Sequence, residues 1–159
     1  MPDRVYVVRP YSERIRHKMF ECLAEAGLHI DQSGIIAPGT SDDEALRTLP
    51  RGHDAVLLVP YNAHRSESGA TMNGLDFARR IDSERPDLSR APILMPISAM
   101  GMAGASLTLS RSEEEGGLAQ SLRRRILFIT EEDLNTPLFA KRVRRHVDGE
   151  LTGEFPIPP

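Results

Sequence analysis

Arg9, His64 and Arg65 are the residues of this chain whose types and positions best suit holding an anion. Arg9 ends an apolar run. His64 and Arg65 stand in the polar stretch Pro60–Thr71, which follows another. Tyr11 and Asn62 lie beside them, and Ser98 ends a third apolar run. Arg9, Tyr11, Asn62, His64, Arg65 and Ser98 are therefore the candidate ligand-binding residues, with an anionic small molecule as the ligand class. The same residues have plainer uses. Arg9 can pair with a nearby carboxylate, the loop can simply be solvated, and Ser98 can cap a turn. Glu67 is the loop's carboxylate, but the sequence places no partner acid beside it. His64 has no second His or Cys at ligand spacing, since His17, His29, His53 and His146 are scattered. No catalytic residue, no metal and no cofactor is assigned.

The elements that must position these residues follow from hydrophobic periodicity. Arg4–Pro10 reads as a nearly continuous apolar strand of the kind found inside a parallel sheet. Ser12 suits the N-cap of the next helix, where Ile15, Met19, Leu23 and Ala26 recur at helical spacing before Gly27 stops it. The second strand falls within 28–36, where Leu28-His29-Ile30 and Gly34-Ile35-Ile36 compete for it. Ser41 with Glu44 makes a capping box for a short helix holding Ala45 and Leu46. Asp54–Val59 is the third strand. Leu75, Ala78 and Ile81 share one face of a helix that stops before Pro86, with Arg79, Arg80, Asp82 and Glu84 on the other. Pro92–Ile97 is the fourth strand, and Ser98 sits at its carboxyl end.

Met100–Leu109 is small and rich in Met, Gly and Ala, and its pattern assigns it to no element. Ser112 caps an acidic helix start at Glu113–Glu115, expected to run to Leu122. Arg125–Thr130 is the fifth strand. Thr136 with Pro137 starts a last helix whose Phe139, Val143 and Val147 face inward, while Lys141, Arg142, Arg144 and Arg145 face outward. The expected fold is a flavodoxin-like three-layer α/β/α domain over residues 1–148, with a five-stranded parallel sheet of order 2-1-3-4-5. Residues 149–159 form a Pro-rich C-terminal tail. Such a sheet collects the loops starting at Arg9, Pro60 and Ser98 at one edge.

Composition narrows the classes further. A net charge of −3 gives no reason to expect a nucleic-acid binder. No stretch is long enough to span a membrane. The start, Met1-Pro2-Asp3-Arg4, has no signal-peptide pattern, so a cytoplasmic protein is expected. The single cysteine, Cys22, reads as a buried small residue of the first helix.

Met72-Asn73-Gly74-Leu75-Asp76-Phe77, then Arg79-Arg80-Ile81, Arg85-Pro86-Asp87-Leu88, Pro92-Ile93-Leu94-Met95 and Ser98-Ala99, resembles the third helix and fourth strand of a response-regulator receiver domain. A working receiver pairs acidic residues after strand one with a phospho-accepting Asp after strand three. A Lys after strand five completes its site. Here the acidic pair falls on Arg9 and Pro10, and the acceptor on Val59. The Lys position falls near Ile129-Thr130. Ser98 alone fits. A cation where Mg²⁺ ligands should stand opposes metal binding, so the resemblance implies a pseudo-receiver that does not take up phosphate and works by binding proteins. In receivers the later helices commonly form the partner surface. That implies a protein partner or a homodimer through Ser112–Leu122 and Thr136–Val147.

A second resemblance leads elsewhere. Val7-Val8-Arg9-Pro10-Tyr11-Ser12-Glu13, followed by a helix ending Glu25-Ala26-Gly27-Leu28, is similar to the opening of TIR-like and nucleoside deoxyribosyltransferase-like domains. Glu67–Gly74 resembles the turn that carries their active-site Glu. It implies a nucleotide- or NAD-binding or cleaving domain. The glutamate's place falls on Asn73, with Glu67 and Asp76 displaced from it, and Asn cannot serve as nucleophile or base.

Overall fold

The computed structural model describes residues 4–7, 13–30, 41–49, 55–61, 64–65 and 71–149. Apolar runs too short for helices form the strands β1 (Arg4–Val7), β3 (Ala55–Leu58), β6 (Ile93–Pro96) and β7 (Ile126–Ile129). The second strand, β2, is His29–Ile30, the first of the two competing placements, and residues 31–40 lie outside the described ones. Every pairing in this sheet is parallel, and the strand order is β2-β1-β3-β6-β7. The chain is an α/β protein. Parallel neighbours need crossover segments, and the helices supply them. These are α1 (Glu13–Glu25), α2 (Asp42–Thr48), α3 (Gly74–Glu84), α4 (Ala99–Leu109), α5 (Gln120–Arg125), α6 (Glu131–Leu134) and α7 (Phe139–Val147).

Side chains alternate across each strand and build two cores. On one face Leu57, Ile93, Met95 and Phe128 pack with Leu46 of α2, Phe77 and Ile81 of α3, Ala105 of α4 and Leu122 of α5. On the other, Val56, Leu58, Leu94 and Leu127 pack with Met19 and Leu23 of α1 and Val143 and Val147 of α7. Cys22 is buried there, and burial, with Glu25 nearby, pushes its thiol pKa up to about 11. It is thus protonated and inert near neutrality, in keeping with its reading as a small core residue.

Partly buried arginines tie the amino edge of the sheet. Arg125 ends α5 just before β7. It donates from Nε to the Ala91 carbonyl (3.0 Å), from Nη2 to the Leu88 carbonyl (2.7 Å) and from Nη1 to Asp82 of α3 (2.9 Å). Arg85 donates to the Leu46 and Leu49 carbonyls at the end of α2 (2.7 and 2.9 Å) and to both oxygens of Asp87. His146 of α7, 4% exposed, donates from Nε2 to the Arg125 carbonyl at 2.8 Å. A carbonyl can only accept, so the ring proton sits on Nε2.

Three expectations need correction. Met100–Leu109 is part of a regular helix, α4, with Ser98 as its N-cap. Its pattern concealed this because the helix is apolar nearly all round and has no polar face to set a period. The helix expected from Ser112 to Leu122 is instead a 3-10 turn, Glu113–Glu115, followed by α5 from Gln120. Gly116 takes a φ of +93°, and a Cβ at Gly117 would overlap the Arg111 carbonyl oxygen, so the chain turns there. Thr136 and Pro137 do not start the last helix. Thr130 and Asp133 form a capping box that opens α6 directly after β7, and Thr136 Oγ1 bonds back to the Glu132 carbonyl. α7 then begins at Phe139, after Leu138 in a left-handed conformation. The expected cap at Ser41 is present, its Oγ accepting from the Glu44 N–H. Among the described residues, no helix is long and apolar enough to cross a membrane. Residues 150–159 of the expected tail lie outside the described ones.

Candidate functional site

The carboxyl edge of the sheet is built around the segment after β3. Val59 is fully buried, and its N–H donates to the Leu94 carbonyl at 2.9 Å. Tyr61 repeats the pattern two residues later, donating to the Pro96 carbonyl at 2.9 Å. Pro96 has no N–H of its own to give, so this last rung is made from the β3 side alone. The Tyr61 carbonyl in turn accepts from the Gly74 N–H at 2.7 Å, which draws the start of α3 onto the end of β3. Only glycine permits this approach. A Cβ at Gly74 would lie 2.7 Å from the Pro60 carbonyl oxygen and 2.8 Å from the Tyr61 Cα.

The Tyr61 side chain is buried at 8% exposure and packs against α4. A Cβ on Gly101 would come within 3.1 Å of its ring, and one on Gly104 within 3.2 Å of its hydroxyl. Gly101 and Gly104 are three residues apart and share a helix face, so together they seat the ring. Burial, and then the Asp76 carboxylate, raise the phenol pKa, so Tyr61 stays neutral and able to donate or accept.

The polar residues at this edge act first as helix caps. Ser98 is exposed, and its Oγ accepts from the Gly101 N–H at 3.0 Å. Its hydroxyl proton can still be donated to a ligand or partner. Asn73 Oδ1 accepts from the Asp76 N–H at 2.9 Å, and Asp76 Oδ2 accepts from the Asn73 N–H at 3.3 Å, a reciprocal capping box. Asp76 also lies 3.6 Å from Arg79. Asn73, at the glutamate's place in the TIR-like resemblance, therefore opens α3, and Asp76 is its capping partner.

The stretch Pro60–Thr71, read from sequence as a loop, contains a short antiparallel hairpin. Strand β4 (His64–Arg65) pairs with β5 (Thr71–Met72), His64 opposite Met72 and Arg65 opposite Thr71. His64 and Arg65 thus belong to one short strand, in the segment that links Tyr61 to Asn73. Arg9, Tyr11, Asn62 and Glu67 lie outside the described residues. Among the described residues, no three His, Cys, Asp or Glu side chains gather as a metal-binding set. Tyr61 and its glycine seat were not singled out by sequence reasoning. The Gly101–Gly104 spacing is the signal that could have found them. Compared with known proteins, the chain matches no protein-family model and no curated protein sequence.

Proposed function

We propose that this chain is a flavodoxin-like, receiver-like module that has lost aspartyl phosphorylation and acts by binding a protein partner. The observation that carries the reading is Val59. At the position where a receiver holds its phospho-accepting Asp stands a fully buried valine, fixed in the ladder to Leu94. An apolar side chain there offers neither a nucleophile nor a metal ligand. Ser98, exposed at the same edge with a hydroxyl proton it can still donate, supports a contact surface there. An anionic group on the partner would suit the cationic residues Arg9, His64 and Arg65. The nucleotide-cleaving reading has less support, because Asn73 caps α3 where a catalytic glutamate would be needed.

The test is covalent chemistry. The purified chain is incubated with acetyl phosphate and Mg²⁺, and separately with NAD, and followed by intact mass and by product analysis. Neither a phosphorylated species nor nicotinamide release is expected. Acid-labile phosphate on the chain would overturn the reading, and NAD cleavage would replace it with the enzymatic one.

A further inference from the structure

The outward face of α4 is apolar and exposed. The helix carries no charged residue from Ala99 to Leu109. Met100, Ala103, Gly104 and Leu107 have the spacing that lines up one side of a helix. All four are exposed, Met100 at 88% and Leu107 at 63%. A surface helix ordinarily turns charged side chains outward, so a charge-free outer side marks a surface for contact.

Gly104 leaves a gap in that side, and the Tyr61 hydroxyl lies beneath it. A Cβ at position 104 would come within 3.2 Å of the hydroxyl oxygen. Tyr61 is only 8% exposed, yet its hydroxyl has no hydrogen-bond partner among the described residues and still reaches solvent. Buried polar groups ordinarily have a partner, so this one is open to a group brought from outside. The surroundings are acidic. The Asp76 carboxylate acts on the Tyr61 hydroxyl. The exposed turn Glu113–Glu115, which follows α4, is tied to the same flank, because Arg79 both pairs with Asp76 and donates to the Gly116 carbonyl. With Asp76, the glutamates make four carboxylates against the two guanidiniums of Arg79 and Arg111.

We propose that this face docks a basic amphipathic helix of a partner protein. The partner's apolar side chains cover Met100, Ala103 and Leu107. A lysine beside them reaches through the Gly104 gap, where the Tyr61 oxygen accepts from its ammonium group. Further basic residues meet the Glu113–Glu115 turn. The inference rests on the partner-binding reading, to which it adds a surface centred on α4 and the chemistry of the partner.

The probe is a synthetic helical peptide with leucines along one side and lysines on the other, titrated with the full chain and read by fluorescence anisotropy. Binding is expected, and it weakens as salt is raised. The same peptide with glutamates in place of lysines binds at least about tenfold less tightly. Tyr61→Phe removes only the hydroxyl. It weakens binding of the lysine peptide about tenfold, the worth of a hydrogen bond to a charged donor. The free chain melts no lower, since that hydroxyl bonds nothing inside the described fold. Met100→Ser combined with Leu107→Ser weakens binding by about tenfold or more. Glu113→Lys combined with Glu114→Lys narrows the preference between the two peptides. Failure of the lysine peptide to bind overturns the proposal whatever acetyl phosphate does to the chain, since phosphorylation tests only the reading beneath it. Native affinity in Tyr61→Phe, or in the Met100 and Leu107 pair, overturns it too. So does self-association of the native chain that the Met100 and Leu107 changes abolish, which would give this face to a second copy.

Discussion

The two edges of the parallel sheet use polar residues in opposite ways. At the amino edge, Arg125 and Arg85 are mostly buried and turn inward, onto the Ala91, Leu88, Leu46 and Leu49 carbonyls and the carboxylates of Asp82 and Asp87. At the carboxyl edge, Ser98, Asn73 and Thr130 each close a helix N-terminus, and the tight packing comes from Gly74 and Gly101 against Tyr61. Cations at the amino edge therefore stabilise the fold, while the carboxyl edge is held by shape and caps. Charge alone would not point to the candidate site, since the most heavily bonded arginines among the described residues lie at the opposite edge.

Removing a clasp at the amino edge should have the largest effect. Arg125→Ala leaves Asp82 without its partner and two carbonyls without their donor. It should lower stability by about 3 kcal/mol or more in denaturant unfolding. A loss below about 1 kcal/mol would mean that the amino edge is not what locks the sheet. Gly74→Ala tests the other edge. Its Cβ meets backbone atoms that cannot rotate away, so a loss of about 2 kcal/mol is expected. Ser98→Ala removes only a cap and should cost about 1 kcal/mol, with far-ultraviolet circular dichroism reporting fraying of α4.

The smallest effect separates the edges by pH. Burial pushes the His146 pKa below its ordinary 6.5, against the raising effect of its bond to the Arg125 carbonyl. As pH falls through about 6.5, the unfolded chain takes up a proton that the folded chain resists. The unfolded state then binds more protons, so this contribution to stability is whole above that pH and is lost as pH falls toward the folded-state pKa. His146→Gln should flatten the fall in melting temperature between about pH 7 and pH 5. An unchanged slope would place the acid sensitivity elsewhere.

Much of the layered fold was legible in the sequence because its helices are amphipathic. Leu75, Ala78 and Ile81 of α3 and Phe139, Val143 and Val147 of α7 occupy buried faces, as their spacing implied. α4 was not legible for the opposite reason. Met100 is 88% exposed and Leu107 63%, so the outer face of that helix is as apolar as the inner. Periodicity cannot register a helix without a polar side. The site was legible only in part. Ser98 stands at the strand end where it was expected, but its use as a cap depends on α4. The role of Tyr61 depends on Gly74, Gly101 and Gly104, which meet only in three dimensions. Arg125 read as the start of a strand, and nothing in its neighbours along the chain shows that it reaches Asp82.

The central claim is that the carboxyl edge retains a receiver's shape without its phosphoryl chemistry. Melting the chain with and without beryllium fluoride and Mg²⁺ tests it most directly, because a ligand that binds the native state raises the melting temperature by mass action. With valine at position 59, no shift is expected. A Mg²⁺-dependent rise with beryllium fluoride would contradict the account, since it would require a carboxylate-bound metal and a phosphoryl-like group at this edge.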